Sequence, residues 1–149
     1  MTRYTIDDHG MLHLPDGLSV GGDLDLRGTA ITALPEDIVL CGARIADAPV
    51  IPDIHKAVYD AASQPDALEM SDWHCGTAHC RAGWAITLAG EAGRTLEEKI
   101  GTANAAYLIY AASDPARPVP DFYCGNDTAL DDMRRMAETE EVRNRPGRA

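Results

Sequence analysis

The sequence predicts an α+β protein in which a short stack of β coils is capped by a small helical bundle. Two observations carry this prediction. First, the dipeptide Leu14-Pro15 recurs twenty residues later as Leu34-Pro35, so the first third of the chain is an internal repeat. Second, after residue 52 the apolar residues follow the spacing of amphipathic helices. A repeat of this length is typical of a solenoid, in which each coil buries its apolar ridge against its neighbour.

The repeat extends over about two coils. The same offset aligns Leu18 with Ile38 and Val20 with Leu40. The match decays soon afterwards, as the last coil of a capped stack often does. We therefore predict a repeat domain at residues 1–52.

Within the coils, strand alternation separates buried leucines from exposed carboxylates. In the segment GDLDLRGT, Leu24 and Leu26 fall on one face of a short strand, and Asp23 and Asp25 fall on the other. The residues predicted to form a shallow, acidic binding face are Asp23, Asp25, Arg27, Thr29, Thr32, Glu36 and Asp37.

Residues 53–141 are predicted to form the helical domain, with a disordered tail at 142–149. Pro52-Asp53 suits a helix start, and the first inward stripe consists of Ile54, Ala57, Val58 and Ala61. A second helix is predicted at about 78–88, with Thr77 as its N-cap.

Three further features organise the rest of this domain. Cys80, Trp84 and Leu88 are predicted to share one side of the second helix, and Thr95 with Glu98 forms a capping-box pattern before a short helix. The segment 103–112 is apolar nearly all round, which predicts a helix buried on most sides. A last helix is predicted to begin near Asn126, with an inward stripe of Leu130, Met133, Met136 and Ala137.

Charge and composition restrict the partners. The chain has 24 acidic and 13 basic residues and a formal net charge of −11, so most of its surface repels nucleic acid and anionic membrane. The start, MTRYTIDDHG, lacks the apolar segment of an export signal, and no later apolar run approaches the ~18 residues of a membrane span. We expect a cytoplasmic protein with reduced cysteines, whose partner is another protein with a basic surface.

One cluster has residue types suited to chemistry: His74, Cys75, His79 and Cys80. Thiolate and imidazole are zinc ligands, but the spacing departs from the usual zinc knuckle, and no metal is predicted. A thiolate near a helix N-terminus with a histidine base is the second interpretation. The third is structural, in which Cys80 packs against Trp84, Cys75 lies in a loop and the histidines are partly exposed.

Nucleotide and hydrolase motifs are missing from the sequence. There is no GxGxxG, GxxxxGK[ST], GxSxG or HExxH pattern. We therefore expect no cofactor, and catalysis is the less favoured prediction.

Two motifs carry a resemblance to known sequences. The stretch LPDGLSVGGDLDLRGTAITALPEDIVLCG resembles the GDLDLxGTxIxxLP repeats of leucine-rich-repeat-like proteins in bacteria and their phages. The stretch CGTAHCRAGWA is similar to a CGTxxCxAGWA motif in uncharacterised bacterial and phage proteins. The resemblance implies a short leucine-rich-repeat-like β stack and a phage or prophage accessory protein. It implies no catalytic residue.

The sequence therefore leads to two functional hypotheses. The first is a protein-binding module that acts through its acidic coil face, in a sharper form as a phage-encoded inhibitor of a host nucleic-acid-handling defence machine. The alternative is a small Cys/His-dependent enzyme centred on Cys75 and Cys80, with His74 and His79.

Overall fold

The structure is a computed structural model that describes residues 5–6, 12–13, 19–21, 24, 34–70, 74–75, 78–114, 117, 120, 122 and 124–143. The predicted α+β class is confirmed, and within these ranges the fold is mostly helical, with five α-helices and a three-stranded sheet as its largest sheet. None of these helices is long and apolar enough to cross a bilayer.

The strands in the described part of the chain are short and form three separate sheets. Strands β1 (Thr5–Ile6) and β2 (Leu12–His13) pair antiparallel. The three-stranded sheet has the order β3 (Ser19–Val20), β4 (Val39–Leu40), β5 (Ala43–Arg44).

The pairing of β3 with β4 reproduces the repeat spacing. The two strands run parallel, with Ser19 opposite Val39 and Val20 opposite Leu40, an offset of twenty residues. Strand β5 then returns antiparallel to β4 through Cys41 and Gly42. Both turn residues have positive φ, 49° and 85°, as a tight two-residue hairpin of type I′ requires.

Most of the remaining described residues form helices. A 3₁₀ helix at Ile45–Asp47 precedes α1 (Ile54–Ala62), and the hairpin of β6 (His74–Cys75) and β7 (Ala78–His79) follows. Four helices complete the bundle: α2 (Arg81–Leu88), α3 (Gly90–Ile100), α4 (Thr102–Ser113) and α5 (Asn126–Arg143).

The predicted central helix is α4. Residues 103–111 are all buried, as expected for a segment without a polar face. The predicted start of the last helix at Asn126 also agrees with α5, which runs to Arg143, two residues into the segment predicted to be a tail. Residues 144–149 lie outside the described part.

Several local predictions for α1 and α2 are wrong. Residues 78 and 79 form a strand, so α2 begins at Arg81 with Cys80 as its N-cap, and Thr77 lies outside the described residues. Leu88 does not share the buried side of Cys80, because it is 38% exposed at the end of this short helix. In α1, the buried positions are Ile54, His55, Val58 and Ala62. The buried face therefore includes a histidine, which the predicted apolar stripe did not contain.

The capping box predicted at Thr95 and Glu98 is also wrong. Both residues lie inside the continuous helix α3, which begins at Gly90. Gly90 has a φ of 71°, so the chain turns at this residue, between α2 and α3. Helix α3 therefore starts before Thr95 and Glu98, which lie in its interior.

One core joins the repeat region to the helices. Leu24, Leu34, Ile38 and Leu40 belong to the same buried cluster as α4. The buried side chain of Asn104 connects the two parts, since its Oδ1 accepts from the Leu24 backbone N–H at 2.9 Å and its Nδ2 donates to the Ile100 carbonyl at 3.2 Å. Asn104 therefore satisfies a backbone N–H of the repeat region that would otherwise be buried without a partner.

Replacing Asn104 with leucine is expected to lower the free energy of unfolding by roughly 1 to 3 kcal/mol, because the Leu24 N–H loses its acceptor in the core. Urea unfolding followed by Trp fluorescence and by far-UV circular dichroism measures this loss. Because the core is continuous, both signals should change in one coincident transition. A stable variant, or two separate transitions, would contradict the connection described for Asn104.

Candidate functional site

The structure describes two of the residues predicted to form the acidic coil face. Glu36 and Asp37 are exposed in a turn that follows the buried Leu34. The other five predicted residues of this face, Asp23, Asp25, Arg27, Thr29 and Thr32, lie outside the described residues.

The turn that carries Glu36 and Asp37 follows a residue, Leu34, that is bonded to the segment between α4 and α5. The Leu34 N–H donates to the Arg117 carbonyl at 3.0 Å, and the Arg117 Nε donates to the Leu34 carbonyl at 2.7 Å. Arg117 thus bonds both the N–H and the carbonyl of Leu34. The carboxylates of Glu36 and Asp37 therefore follow a residue whose backbone is held in position by hydrogen bonds.

The Cys/His cluster is partly brought together by the β6–β7 hairpin. His74 pairs with His79, and Cys75 pairs with Ala78, in an antiparallel register. Cys75 therefore lies in a strand and not in the predicted loop. The side chains of His74 and Cys75 are outside the described part of the structure, whereas His79 and Cys80 are described.

Cys80 has a structural role at the start of α2. Its side chain is fully buried, and its Sγ accepts a hydrogen bond from the Gly83 N–H at 3.3 Å. A thiol used in this way satisfies one of the N–H groups that a helix start leaves without partners. This position favours the structural interpretation, because a nucleophile must reach its substrate.

His79 packs against Trp84. The two rings are 4.8 Å apart and nearly perpendicular, and the Trp84 Nε1 donates to the Ala67 carbonyl at 2.7 Å. The backbone of His79 also bonds to both Ala67 and Glu69, which joins β7 to the preceding loop. Across the described residues, no group of three or more potential metal ligands is found.

A second polar cluster, which the sequence analysis missed, lies where α1, α4 and α5 meet. We call it the α5 cluster and define it as His55, Asp114, Glu140 and Arg143. The His55 Nε2 lies 2.7 Å from the Asp114 Oδ2, and the Arg143 guanidinium lies 3.4 Å from the Asp114 Oδ1. His55, Asp114 and Glu140 are each only 3% exposed.

Glu140 provides the N-terminal cap of α1 from a different helix. Its two carboxylate oxygens accept from the N–H groups of His55 and Lys56, at 3.2 and 3.0 Å. Asp53 occupies the N-cap position in a left-handed conformation, with φ of 52°, and does not supply this cap. The negative carboxylate also lies at the positive end of the α1 dipole, which stabilises both.

Next to the α5 cluster lies an ion pair between a buried arginine and a partly exposed aspartate. Arg81, which is fully buried, donates to Asp132 at 2.6 Å and contacts the Tyr110 hydroxyl at 3.4 Å. Burial raises the pKa of the Tyr110 hydroxyl above its usual value of 10, and the Arg81 guanidinium opposes this rise. Burial therefore favours the neutral hydroxyl of Tyr110 in the folded protein.

One signal in the sequence marks the α5 cluster. The inward stripe of α5 continues past Met133 and Ala137 to Glu140, at a spacing of three or four residues. A carboxylate at a buried stripe position requires partners. Those partners, the backbone N–H groups of His55 and Lys56, could not be identified from spacing, because they lie far away in the chain.

Comparisons of this chain with protein families, with curated proteins and with solved structures give no match.

Substituting Cys80 tests its role as a cap. Cys80→Ala removes the acceptor of the Gly83 N–H and should cost roughly 0.5 to 2 kcal/mol of stability, whereas Cys80→Ser keeps an N-cap oxygen and should cost less than the alanine variant. Urea unfolding at neutral pH gives both values. If serine is no better than alanine, the Sγ hydrogen bond does not contribute to stability.

Tyr110 should make the fold sensitive to alkaline pH. Its pKa is raised in the folded state, so its contribution to stability is complete below the unfolded value of about 10 and is lost as the pH rises through the folded value. The free energy of unfolding of the wild-type protein should therefore fall more steeply as the pH rises above about 10 than that of Tyr110→Phe. Parallel curves for the two proteins would show that Tyr110 does not contribute to this loss.

Proposed function

We propose that this protein is a protein-binding module that recognises a basic surface through an acidic face on a short leucine-rich-repeat-like stack. The observation that carries the proposal is the separation of residues around the second coil. Leu34, Ile38 and Leu40 are buried, whereas Glu36 and Asp37 are exposed between them. A rigid turn with exposed carboxylates is suited to electrostatic recognition.

The pairing of β3 with β4 supports the stack in this proposal. In a solenoid, equivalent residues of successive coils lie side by side, and the parallel register of these strands equals the repeat length. The repeat pattern of the sequence predicts that the acidic face also includes Asp23, Asp25, Arg27, Thr29 and Thr32, which lie outside the described residues.

Charge complementarity supports a basic partner. In the described helices, Lys56, Arg81, Arg134, Arg135 and Arg143 each form an ion pair with a carboxylate of this chain. Since acidic residues outnumber basic ones by 24 to 13, many carboxylates are left to face solvent. Such a surface accelerates association with a positively charged protein and disfavours nucleic acid.

The sharper form of the proposal is an inhibitor that occupies the basic groove of a nucleic-acid-handling machine. The negative charge and the resemblance of the repeat to bacterial and phage sequences support it. In this form the protein acts in the cytoplasm as a phage or prophage accessory. An added polynucleotide should then compete with this protein for the partner.

The enzyme alternative is less well supported. Its most suitable nucleophile, Cys80, is buried and caps α2, and its closest described histidine packs on Trp84. We therefore favour binding over catalysis.

A charge-matched pair of variants tests the acidic face. Glu36→Gln combined with Asp37→Asn should weaken binding to a basic partner and reduce its salt dependence, because both carboxylates lie on the proposed face. The control combines Glu91→Gln with Glu98→Gln, which removes the same charge from exposed positions on α3. The partner is first recovered from host lysate, and affinities are then measured at several salt concentrations.

The two double variants distinguish a local surface from a general charge effect. If both weaken binding equally, only the net charge matters and the coil face is not the recognition surface. If neither changes the affinity or its salt dependence, the proposed acidic face is wrong. Both double variants should unfold at the same temperature as the wild type, because all four substituted positions are exposed.

A further inference from the structure

The buried guanidinium of Arg81 has a methionine sulfur as one of its acceptors. The Arg81 Nη2 donates to the Met136 Sδ at 2.9 Å, and the other acceptors of this side chain are the Asp132 carboxylate and the Tyr110 hydroxyl. A guanidinium carries five N–H donors, and a thioether sulfur is a weak acceptor. Within the described residues, this fully buried cation is therefore satisfied by one charged acceptor and two neutral ones.

Met136 lies between this buried guanidinium and solvent. It is partly exposed, and it lines a cavity of about 170 Å³ between the last turns of α5, the start of α1 and the end of α4. This cavity is much larger than the roughly 15 Å³ that one water molecule requires. A small polar oxidant such as hydrogen peroxide can therefore reach the Met136 side chain in the folded protein.

Met133 provides an internal comparison on the same helix. It lies three residues before Met136, but it is buried in the core and only 1% exposed. The two side chains have the same chemistry and differ in burial. Because the oxidation of methionine follows exposure, we expect Met133 to react only when the structure opens locally.

Oxidation of Met136 exchanges a weak acceptor for a stronger one. A lone pair of the thioether sulfur attacks one oxygen of hydrogen peroxide, so that an S–O bond forms as the O–O bond breaks. The departing hydroxide takes the proton of the transferred oxygen and leaves as water, so the sulfur is oxidised and the peroxide is reduced. The sulfoxide oxygen is polar and accepts hydrogen bonds more strongly than the thioether sulfur does.

The surroundings of Met136 can accommodate this oxygen. A sulfoxide usually disrupts a core, because it places a polar group among apolar neighbours. Here the Arg81 Nη2 supplies a donor, and the cavity gives the sulfur space to withdraw. The three rotatable bonds of the methionine side chain allow the oxygen to take the position beside Arg81 that the sulfur now occupies.

We propose that Met136 is a modification site that hydrogen peroxide oxidises to the sulfoxide, and that Arg81 binds the sulfoxide oxygen so that the oxidised protein keeps its fold. The site lies in the helical domain and is separate from the acidic coil face. It does not depend on the proposed binding function.

The first experiment measures where peroxide reacts. The full chain is treated with hydrogen peroxide and digested with trypsin, which places Met133 and Met136 on different peptides because Arg134 and Arg135 lie between them. Mass spectrometry then follows the gain of one oxygen on each peptide. In the folded protein Met136 should be oxidised faster than Met133. In urea, the control, both should react at the same rate, because unfolding removes the difference in burial.

The second experiment tests the role of Arg81 by urea unfolding before and after oxidation. Each protein is paired with its own Met136→Leu version, which corrects for oxidation elsewhere, including at the partly exposed Met70. After this correction, oxidation should leave the urea midpoint of the wild type unchanged or raise it. In Arg81→Leu, which lacks the donor, oxidation should lower the midpoint.

A further pair of variants tests the same contact without peroxide. Met136→Gln places an amide oxygen within reach of Arg81, whereas Met136→Leu leaves the Nη2 without this acceptor. The glutamine variant should therefore unfold at a higher urea concentration than the leucine variant.

Three results would overturn the proposal. Met136 is not the site if it stays reduced, or if it reacts no faster than Met133 in the folded protein. Arg81 does not hold the oxygen if oxidation changes the corrected midpoints of the wild type and of Arg81→Leu equally. If Arg81→Leu does not fold, the contact is refuted when Met136→Gln is no more stable than Met136→Leu.

Discussion

Helix α4 lies at the centre of the molecule because its sequence offers no polar face to solvent. Every position from Ala103 to Ala111 is buried, so the other elements must cover this helix on all sides. Helices α2 and α3 pack against it, and the 3₁₀ helix of the repeat region contacts it as well. Phe122 lies 4.8 Å from the ring of Tyr107 and 6.1 Å from that of Tyr110. The arrangement of the fold follows from the need to bury one helix completely.

Burying α4 also buries polar groups, and each of those described has a defined role. Asn104 connects the backbone at Leu24 to helix α4. Arg81 pairs with Asp132 and lies 5.7 Å from the centre of the Tyr110 ring. Buried polar groups of this kind add little net stability, but they disfavour alternative packings in which they would lack partners. We infer that they fix how the helices are arranged around α4.

The features that were predicted from the sequence depend on local patterns. The absence of a polar face between residues 103 and 112 is visible in the sequence, and α4 follows from it. The twenty-residue offset aligns Val20 with Leu40, which are paired in the structure. This pairing covers only two residues in each strand, so the leucine-rich-repeat stack itself remains a proposal.

The features that were missed depend on contacts between distant parts of the chain. The pattern of Thr95 and Glu98 is a capping signal in isolation, but the turn at Gly90 had already set the start of α3. In the same way, His55 contacts Asp114 across 59 residues, and Glu140 caps α1 across 85. A single histidine or glutamate in a helix is ordinarily exposed, and only the assembled fold shows that these are buried together.

The cap that Glu140 places on α1 has a consequence for synthesis of the protein. Helix α1 has nine residues, too few for an isolated helix to be stable in water, and its capping carboxylate comes 85 residues later. A ribosome needs roughly 4 to 17 s to add that many residues. During this interval the emerging segment has neither its cap nor the helix it packs against. Until α5 has left the ribosome, we therefore expect α1 to be at most marginally helical, with Ile54 and Val58 accessible to chaperones.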